Sequence, residues 1–309
     1  MNQLAPGVHK FIRHIDHIKN MMDGKPVAPI HVSIWPTIRC NFSCSYCCCK
    51  GEDKQNQDDL HYRDYTTAIN VLAKNGTKAI EFSGGGEPLL WDWFDEPVEF
   101  AVSKGLKVSL ITNGSLLDKI SRTTLRKLAW IRISYQSVAH AKTINYNRLK
   151  SIQLSGSFIV TKDGKNIDEL RKLSEWSIKN NMILRVAMER PYNGYTEEKI
   201  KFLVKVYGGQ VFFSEKSAGQ PSGCYMAWVR AAIDWNGNFL PCPSVMINGI
   251  SKNKIDDYWV LCHVSKLGEW LKNNTAKDLG FKCIYCNCGK DINEYIYSLK
   301  ETIKDEDFV

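Results

Sequence analysis

Between residues 29 and 189 the chain alternates two periodicities. Runs with an apolar residue at every second position occupy 29–35, 78–83, 106–112, 130–136, 156–161 and 182–189. Successive side chains of a strand point to opposite faces, so these runs predict β-strands. Between most of them apolar residues recur at helical spacing, at 62–75, 93–104, 116–128 and 166–180. Six such βα units in a row predict an α/β fold: a parallel sheet with helices on its outside.

The two faces of the strands differ. Val32 and Ile34, Ile80 and Phe82, Ile131 and Ile133, and Leu184 and Val186 form one aliphatic face, suited to packing on helices. The opposite face carries His31 and Ser33, Glu81 and Ser83, then Arg132, Ser134 and Gln136, and finally Arg185 and Glu189. A closed barrel fills its interior with branched apolar side chains. A polar interior instead predicts an open, partial barrel around a polar ligand; the plainer alternative is a set of half-exposed edge strands.

After residue 190 the pattern changes. A helix over 197–207 and a short strand over 210–213 are followed by a loop at 217–223. The runs 227–234 and 238–240, joined through Asn236 and Gly237, predict a β-hairpin. The tail from 291 reads as an amphipathic helix.

Composition narrows the class. The chain has 309 residues, 44% hydrophobic and 24% charged, enough for one large core and unlike a disordered segment. There is no run of about eighteen apolar residues to span a membrane, and the first 25 residues lack the apolar block of a secretory signal. A cytoplasmic location is therefore expected. The formal net charge of +8 suits an anionic ligand or a nucleic acid, although the basic residues are scattered.

The cysteines carry the chemistry. Of eleven, five lie between Cys40 and Cys49, and six, Cys224, Cys242, Cys262, Cys283, Cys286 and Cys288, lie in the last third. An odd number, grouped, in a chain this long points to metal or cluster ligation rather than disulfides. Cys40, Cys44 and Cys47 follow the first strand with the spacing C-x3-C-x2-C. Three thiolates on one loop can hold three irons of a [4Fe–4S] cube and leave the fourth open to a small molecule, as a catalytic site requires. A zinc loop or a group of buried thiols is the alternative.

At these residues the chain resembles the radical S-adenosylmethionine superfamily, whose C-x3-C-x-φ-C motif has an aromatic φ matched by Tyr46. The resemblance implies that Cys40, Cys44 and Cys47 bind the cluster, that S-adenosylmethionine chelates the open iron, and that a reducing electron breaks its S–C5′ bond. A flavodoxin or ferredoxin would supply that electron. Ser83-Gly84-Gly85-Gly86-Glu87-Pro88 after the second strand resembles the family's GGE motif, so Gly85, Gly86 and Glu87 are expected to hold the methionine amino group. Thr112 and Asn113 after the third strand, Ser134 on the fourth and Arg185 on the sixth are further expected cofactor contacts.

Cys224, Gly237 and Cys242 form C-x12-G-x4-C, and Cys283 and Cys286 add C-x2-C. This resembles the twitch form of the SPASM extension. It implies that Cys224, Cys242, Cys283 and Cys286 hold a second [4Fe–4S] cluster, with Cys288 a rival for the last position. A structural zinc site with four cysteines is the alternative. The expected organisation is an N-terminal helical extension over 1–28, a partial (βα)6 TIM-like barrel over 29–215, a small twitch-like cluster domain over 216–290 and a C-terminal helix over 291–309.

Some relatives of this kind return a hydrogen atom from a free thiol, which makes Cys49, Cys262 and Cys288 candidates; small buried thiols are the plainer reading. Trp91 and Trp93 either line a pocket or pack in the core. The expected reaction is hydrogen abstraction from a polar substrate, leading to oxidation, isomerisation, epimerisation or cross-linking. A ribosomal peptide and a polar small molecule are both open, the 28 residues before the first strand being too few for an added leader-peptide-binding domain. A nucleoside or nucleic-acid base is a third candidate, and a non-catalytic zinc or iron–sulfur module is the rival from another class.

Overall fold

The period-two runs fold as strands of one sheet in the computed structural model, which describes residues 7–49, 59–189, 194–214, 221–251, 254–283, 286 and 289–300. Two short helices, α1 (Val8–Phe11) and α2 (Ile15–Met22), precede β1 (His31–Ile34). Then come α3 (Tyr62–Lys74), β2 (Ala79–Phe82), α4 (Asp95–Ser103), β3 (Lys107–Thr112), α5 (Arg122–Lys127) and β4 (Leu128–Tyr135). The wound region ends with α6 (Val138–Thr143), β5 (Gln153–Val160), α7 (Ile167–Lys179), β6 (Ile183–Met188), α8 (Gly194–Val206) and β7 (Val211–Phe213). A hairpin of β8 (Arg230–Ile233) and β9 (Asn238–Leu240) follows, then α9 (Val245–Asn248) and the paired β10 (Ile250–Ser251) and β11 (Lys254–Ile255). The chain continues through β12 (Cys262–His263) and α10 (Leu267–Asn273) to α11 (Lys290–Lys300).

The sheet order is β12-β9-β8-β1-β2-β3-β4-β5-β6-β7. β1 to β7 are parallel in sequence order, which is the expected α/β partial barrel with one further strand. Its apolar face works as anticipated. Val32, Ile34, Ile80, Phe82, Ile131, Ile133, Leu184 and Val186 are buried against Ile69 and Leu72 of α3, Leu125 of α5 and Leu170 and Leu173 of α7. Each such side chain contributes roughly 1.5–3 kcal/mol when fully buried.

Two expectations need correction. The helix expected over 116–128 is a 3₁₀ turn at Leu117–Lys119 followed by the short α5, because the Ser121 hydroxyl caps a fresh start by accepting from the Thr124 N–H at 3.1 Å. The hairpin's first strand begins at Arg230, since Met226–Trp228 form a 3₁₀ turn that buries Trp228 in a second core. More important, β8 pairs in parallel with β1, His31 opposite Arg230. The hairpin therefore widens the barrel sheet and does not build a separate one.

The terminal helices close the base. Phe11 of α1, Met21 of α2, Trp228, and Ile292 and Ile296 of α11 share the second core, with Phe11 edge-on to Tyr295 at 6.2 Å. No helix among the described residues is long and apolar enough to cross a membrane.

Candidate active site

The loop after β1 carries Cys40, Cys44 and Cys47, all three half-buried at the C-terminal rim of the sheet. Arg39 anchors the loop: its Nε donates to Asp59 at 2.9 Å and its Nη2 to the Leu90 carbonyl at 2.7 Å, with a further close contact to Asp59. Gln136, just past β4, reaches across the rim and donates from Nε2 to Cys44 Sγ at 3.0 Å. The Phe42 N–H donates to Cys40 Sγ at 3.4 Å. Burial, and then the Cys44 thiol beside it, raise the Tyr46 pKa, so its phenol stays protonated.

The glycine loop after β2 lies flat on the approach to these cysteines. Gly86 donates its N–H to the Thr37 carbonyl at 3.1 Å, and Glu87 donates its own to the Arg39 carbonyl at 2.8 Å. A Cβ on residue 86 would sit 2.0 Å from the Arg39 oxygen, so only glycine fits. Glu87 is 2% exposed, and its carboxylate accepts from the Leu89 N–H, the Thr112 hydroxyl and the Asn113 N–H at 3.2, 2.5 and 2.7 Å. It thus ties the β2 loop to the β3 loop, with both its oxygens accepting from the protein. Burial raises its pKa against those three donors. Asn113 and Ser115 extend the tie to Asn41 of the cysteine loop, each at 2.8 Å.

The inner face of the sheet is polar, as its alternation requires. The Ser33 hydroxyl bonds to Ser83 at 2.8 Å, Ser134 faces Ser157 at 3.3 Å, and Arg185 stands next to Ser157 in register. Glu81 holds Arg230 at 3.1 Å. Burial, and then Arg230, push the His31 pKa down to about 4. A histidine held neutral in the fold stabilises it above the ordinary pKa of 6.5 and loses that contribution as pH falls from 6.5 to about 4, where only the unfolded chain takes the proton. The stability slope in that window is expected to flatten in His31→Gln, by up to about 1.4 kcal/mol per pH unit. Urea unfolding of both proteins at pH 7, 6 and 5 checks it, and equal slopes would exclude the effect.

Three comparisons bear on this site. Residues 35–149, from the end of β1 through the loop after α6, match the family model of the Radical SAM superfamily. Residues 35–149 form a radical SAM domain. The chain is 33% identical over 118 residues to Fe-coproporphyrin III synthase of Methanosarcina barkeri, covering 38% of this chain and 27% of that protein. It is 37% identical over 87 residues to an S-adenosylmethionine-dependent nucleotide dehydratase of Selenomonas ruminantium, covering 28% and 30%. The matched segment thus spans under a third of these curated relatives. The crystal structure of Streptococcus suis SuiB bound to S-adenosylmethionine shares the fold, with a TM-score of 0.55 at 16% identity over 84% of this chain and 72% of that one. The cofactors of a radical SAM domain are S-adenosylmethionine and a [4Fe–4S] cluster, and the three rim thiols and the tight glycine cradle beside them fit that pair.

Outside the radical SAM domain, Cys224, Cys242, Cys283 and Cys286 are all buried. Burial raises the Cys224 pKa to about 12, and the neighbouring Cys283 and Cys286 add to the rise. Asp278 accepts from the Cys224 N–H at 2.8 Å, and Asn293 of α11 accepts from the Tyr225 N–H at 2.8 Å while its amide lies 4.0 Å from Cys286 Sγ. Among the described residues no three His, Cys, Asp or Glu side chains converge as ligands of one ion would.

The remaining thiols separate. Cys49 is 1% exposed, packed among Trp35, Ile38 and Trp235, with its Sγ 3.4 Å from Met246 Sδ. Its hydrogen-bonded neighbours Cys47 and Cys48, with burial, raise its pKa and keep it a thiol. Cys262, on β12 opposite Phe239, packs against the outer apolar core. Cys288 lies outside the described residues. Trp91 is a core residue, its indole donating to the Leu60 carbonyl at 3.0 Å, whereas Trp93 is 73% exposed with a left-handed backbone, φ +60°. Sequence reasoning missed Arg230 as an inner-face group; its signal was the alternation with Ala231 in a run read apart from the barrel strands.

Proposed function

We propose that the chain is a radical S-adenosylmethionine enzyme that takes a hydrogen atom from a polar substrate held inside the barrel. The observation that carries this is the rim itself: three half-buried thiols on one loop, pressed against a glycine cradle that admits no side chain. Cys40, Cys44 and Cys47 would hold the cluster. When bound, the reduced cluster supplies the electron that splits S-adenosylmethionine into methionine and a 5′-deoxyadenosyl radical.

The protein's own part is positional. Arg39 and Gln136 fix the cysteine loop, and the Glu87–Thr112–Asn113 knot fixes the two loops beside it. Gly85, Gly86 and Tyr46 would border the methionine end of the cofactor, and Ser134 and Arg185 its ribose or carboxylate. Holding the target carbon near C5′ and away from water is the remaining requirement. Cys224, Cys242, Cys283 and Cys286 would hold an auxiliary cluster in a twitch-like region, with electrons reaching the enzyme from a flavodoxin or ferredoxin. Nucleotide or nucleoside chemistry is a second reading, favoured by the likeness to an S-adenosylmethionine-dependent nucleotide dehydratase.

Anaerobic reconstitution followed by dithionite and S-adenosylmethionine tests the class. The expected product is 5′-deoxyadenosine, and an iron-loaded protein that leaves the cofactor intact would sink the proposal. For the auxiliary site, the variant lacking Cys40, Cys44 and Cys47 is expected to retain about four irons per chain. A folded variant holding zinc, or no metal, would remove that cluster.

A further inference from the structure

The cysteines outside the radical SAM domain lie on distant segments, and one helix ties two of those segments together. α11 starts at Lys290, just after Cys286, and packs in one core with the Met226–Trp228 turn that follows Cys224. A Cβ on residue 289 would collide with Met226 Sδ, so glycine there lets the helix close onto that turn. Both oxygens of Glu294 accept from Ser222, one from its N–H at 3.1 Å and one from its hydroxyl at 2.8 Å. At the far end of α11, Lys300 Nζ donates to the Ala276 carbonyl at 3.0 Å and lies 4.7 Å from the centre of the Tyr225 ring.

Asn293 sits at the middle of this contact. It is 0% exposed, between Ile292 and Ile296 on the buried face of the helix. A buried amide is costly unless its acceptor and its donor both find partners. The Asn293 Oδ1 accepts from the Tyr225 N–H at 2.8 Å. Only the amide oxygen can accept an N–H, so this bond fixes the orientation of the group. The Nδ2 is then left for the opposite side, where it lies 4.0 Å from Cys286 Sγ, a long donor contact to sulfur. One side chain therefore joins the backbone next to Cys224 with the sulfur of Cys286.

We propose that Asn293 is a positioning residue of the auxiliary site, holding the Cys224 segment against Cys286 and lending an N–H donor to the sulfur. The inference rests on the auxiliary-cluster reading and adds to it a residue that no cysteine motif marks. Hydrogen bonds to sulfur help set the reduction potential of an iron–sulfur cluster. The positive end of the amide dipole favours the added electron, so its loss makes the cluster harder to reduce. Partners of metal ligands also govern retention, typically by about 10–100-fold in affinity. An asparagine that served packing alone would alter stability and leave the potential where it was.

The test uses the full chain with Cys40, Cys44 and Cys47 replaced by alanine, so that only auxiliary iron reports. Asn293→Leu removes both bonds at similar size. Asn293→Asp keeps an acceptor for the Tyr225 N–H and removes the amide donor, which spares the fold if the leucine variant does not. After anaerobic reconstitution, a redox titration followed by electron paramagnetic resonance is expected to give a more negative midpoint in both variants. A chelator is expected to strip their iron about tenfold faster. Phe11→Leu is the control, since it weakens the edge-on contact with Tyr295 of α11 without removing a donor from sulfur. It should melt lower and keep the parent midpoint. A folded, iron-loaded Asn293→Asp protein with the parent midpoint and the parent rate of iron loss would overturn this inference alone. An equal shift of the midpoint in Phe11→Leu would overturn it too, because loosened packing would then explain the effect. A parent chain of this background that takes up no iron overturns the auxiliary-cluster reading and the role of Asn293 with it.

Discussion

Gly86→Ala is expected to dislodge the cysteine loop and lower the melting temperature by several degrees. The added methyl would stand 2.0 Å from the Arg39 carbonyl oxygen and 2.5 Å from the Ile38 carbonyl carbon, and backbone cannot rotate away as a side chain can. Overpacking of this kind costs about 1–3 kcal/mol and occasionally more. Relief requires the loops after β1 and β2 to part, breaking the two backbone hydrogen bonds from Gly86 and Glu87. Iron retention after reconstitution should fall with stability, because Cys40 follows Arg39 directly. Gly209→Ala is the control: nothing lies within 4 Å of its added carbon, and a change within about 0.5 kcal/mol is expected. A Gly86→Ala protein that melts with the parent and loads the same iron would show that the cradle is not needed.

Replacing Cys40, Cys44 and Cys47 together by alanine should abolish cleavage of S-adenosylmethionine, a loss of about 10³-fold or more set by assay background. The three thiols are half-buried at the rim and take no part in the main hydrophobic core. Their removal should therefore change the melting temperature of the metal-free protein little. That separation makes the result informative: a folded variant without 5′-deoxyadenosine places the chemistry at the rim. A variant that still forms it at the parent rate would move the chemistry elsewhere.

The barrel was legible because each strand carries both messages at once. Ile131 and Ile133 face the helices, while the alternating Arg132 and Ser134 face inward. The cysteine loop was legible for a different reason, since spacing along one loop survives folding unchanged. What escaped depends on pairing between distant segments. Nothing local in Arg230-Ala231-Ala232-Ile233 says that it lies beside His31-Val32-Ser33-Ile34, and without that pairing Arg230 cannot be seen facing Glu81. The tie made by Glu87 escaped for a related reason: the Thr112 and Asn113 donors that meet its carboxylate come from the next βα unit. The break at Ser121 was locally readable as a helix cap, and the apolar spacing through it masked the signal.

The parallel pairing of β1 with β8 also has a consequence during synthesis. β1 can join β2 early, but the partner for its other edge lies about 200 residues further along. At roughly 5–20 residues per second the ribosome needs on the order of 10–40 s to deliver it. Throughout that interval a strand edge in the nascent barrel stays open to pairing with a stranger, the usual seed of aggregation. Slow expression at low temperature, or chaperones that shield nascent chains, should therefore raise the yield of folded protein.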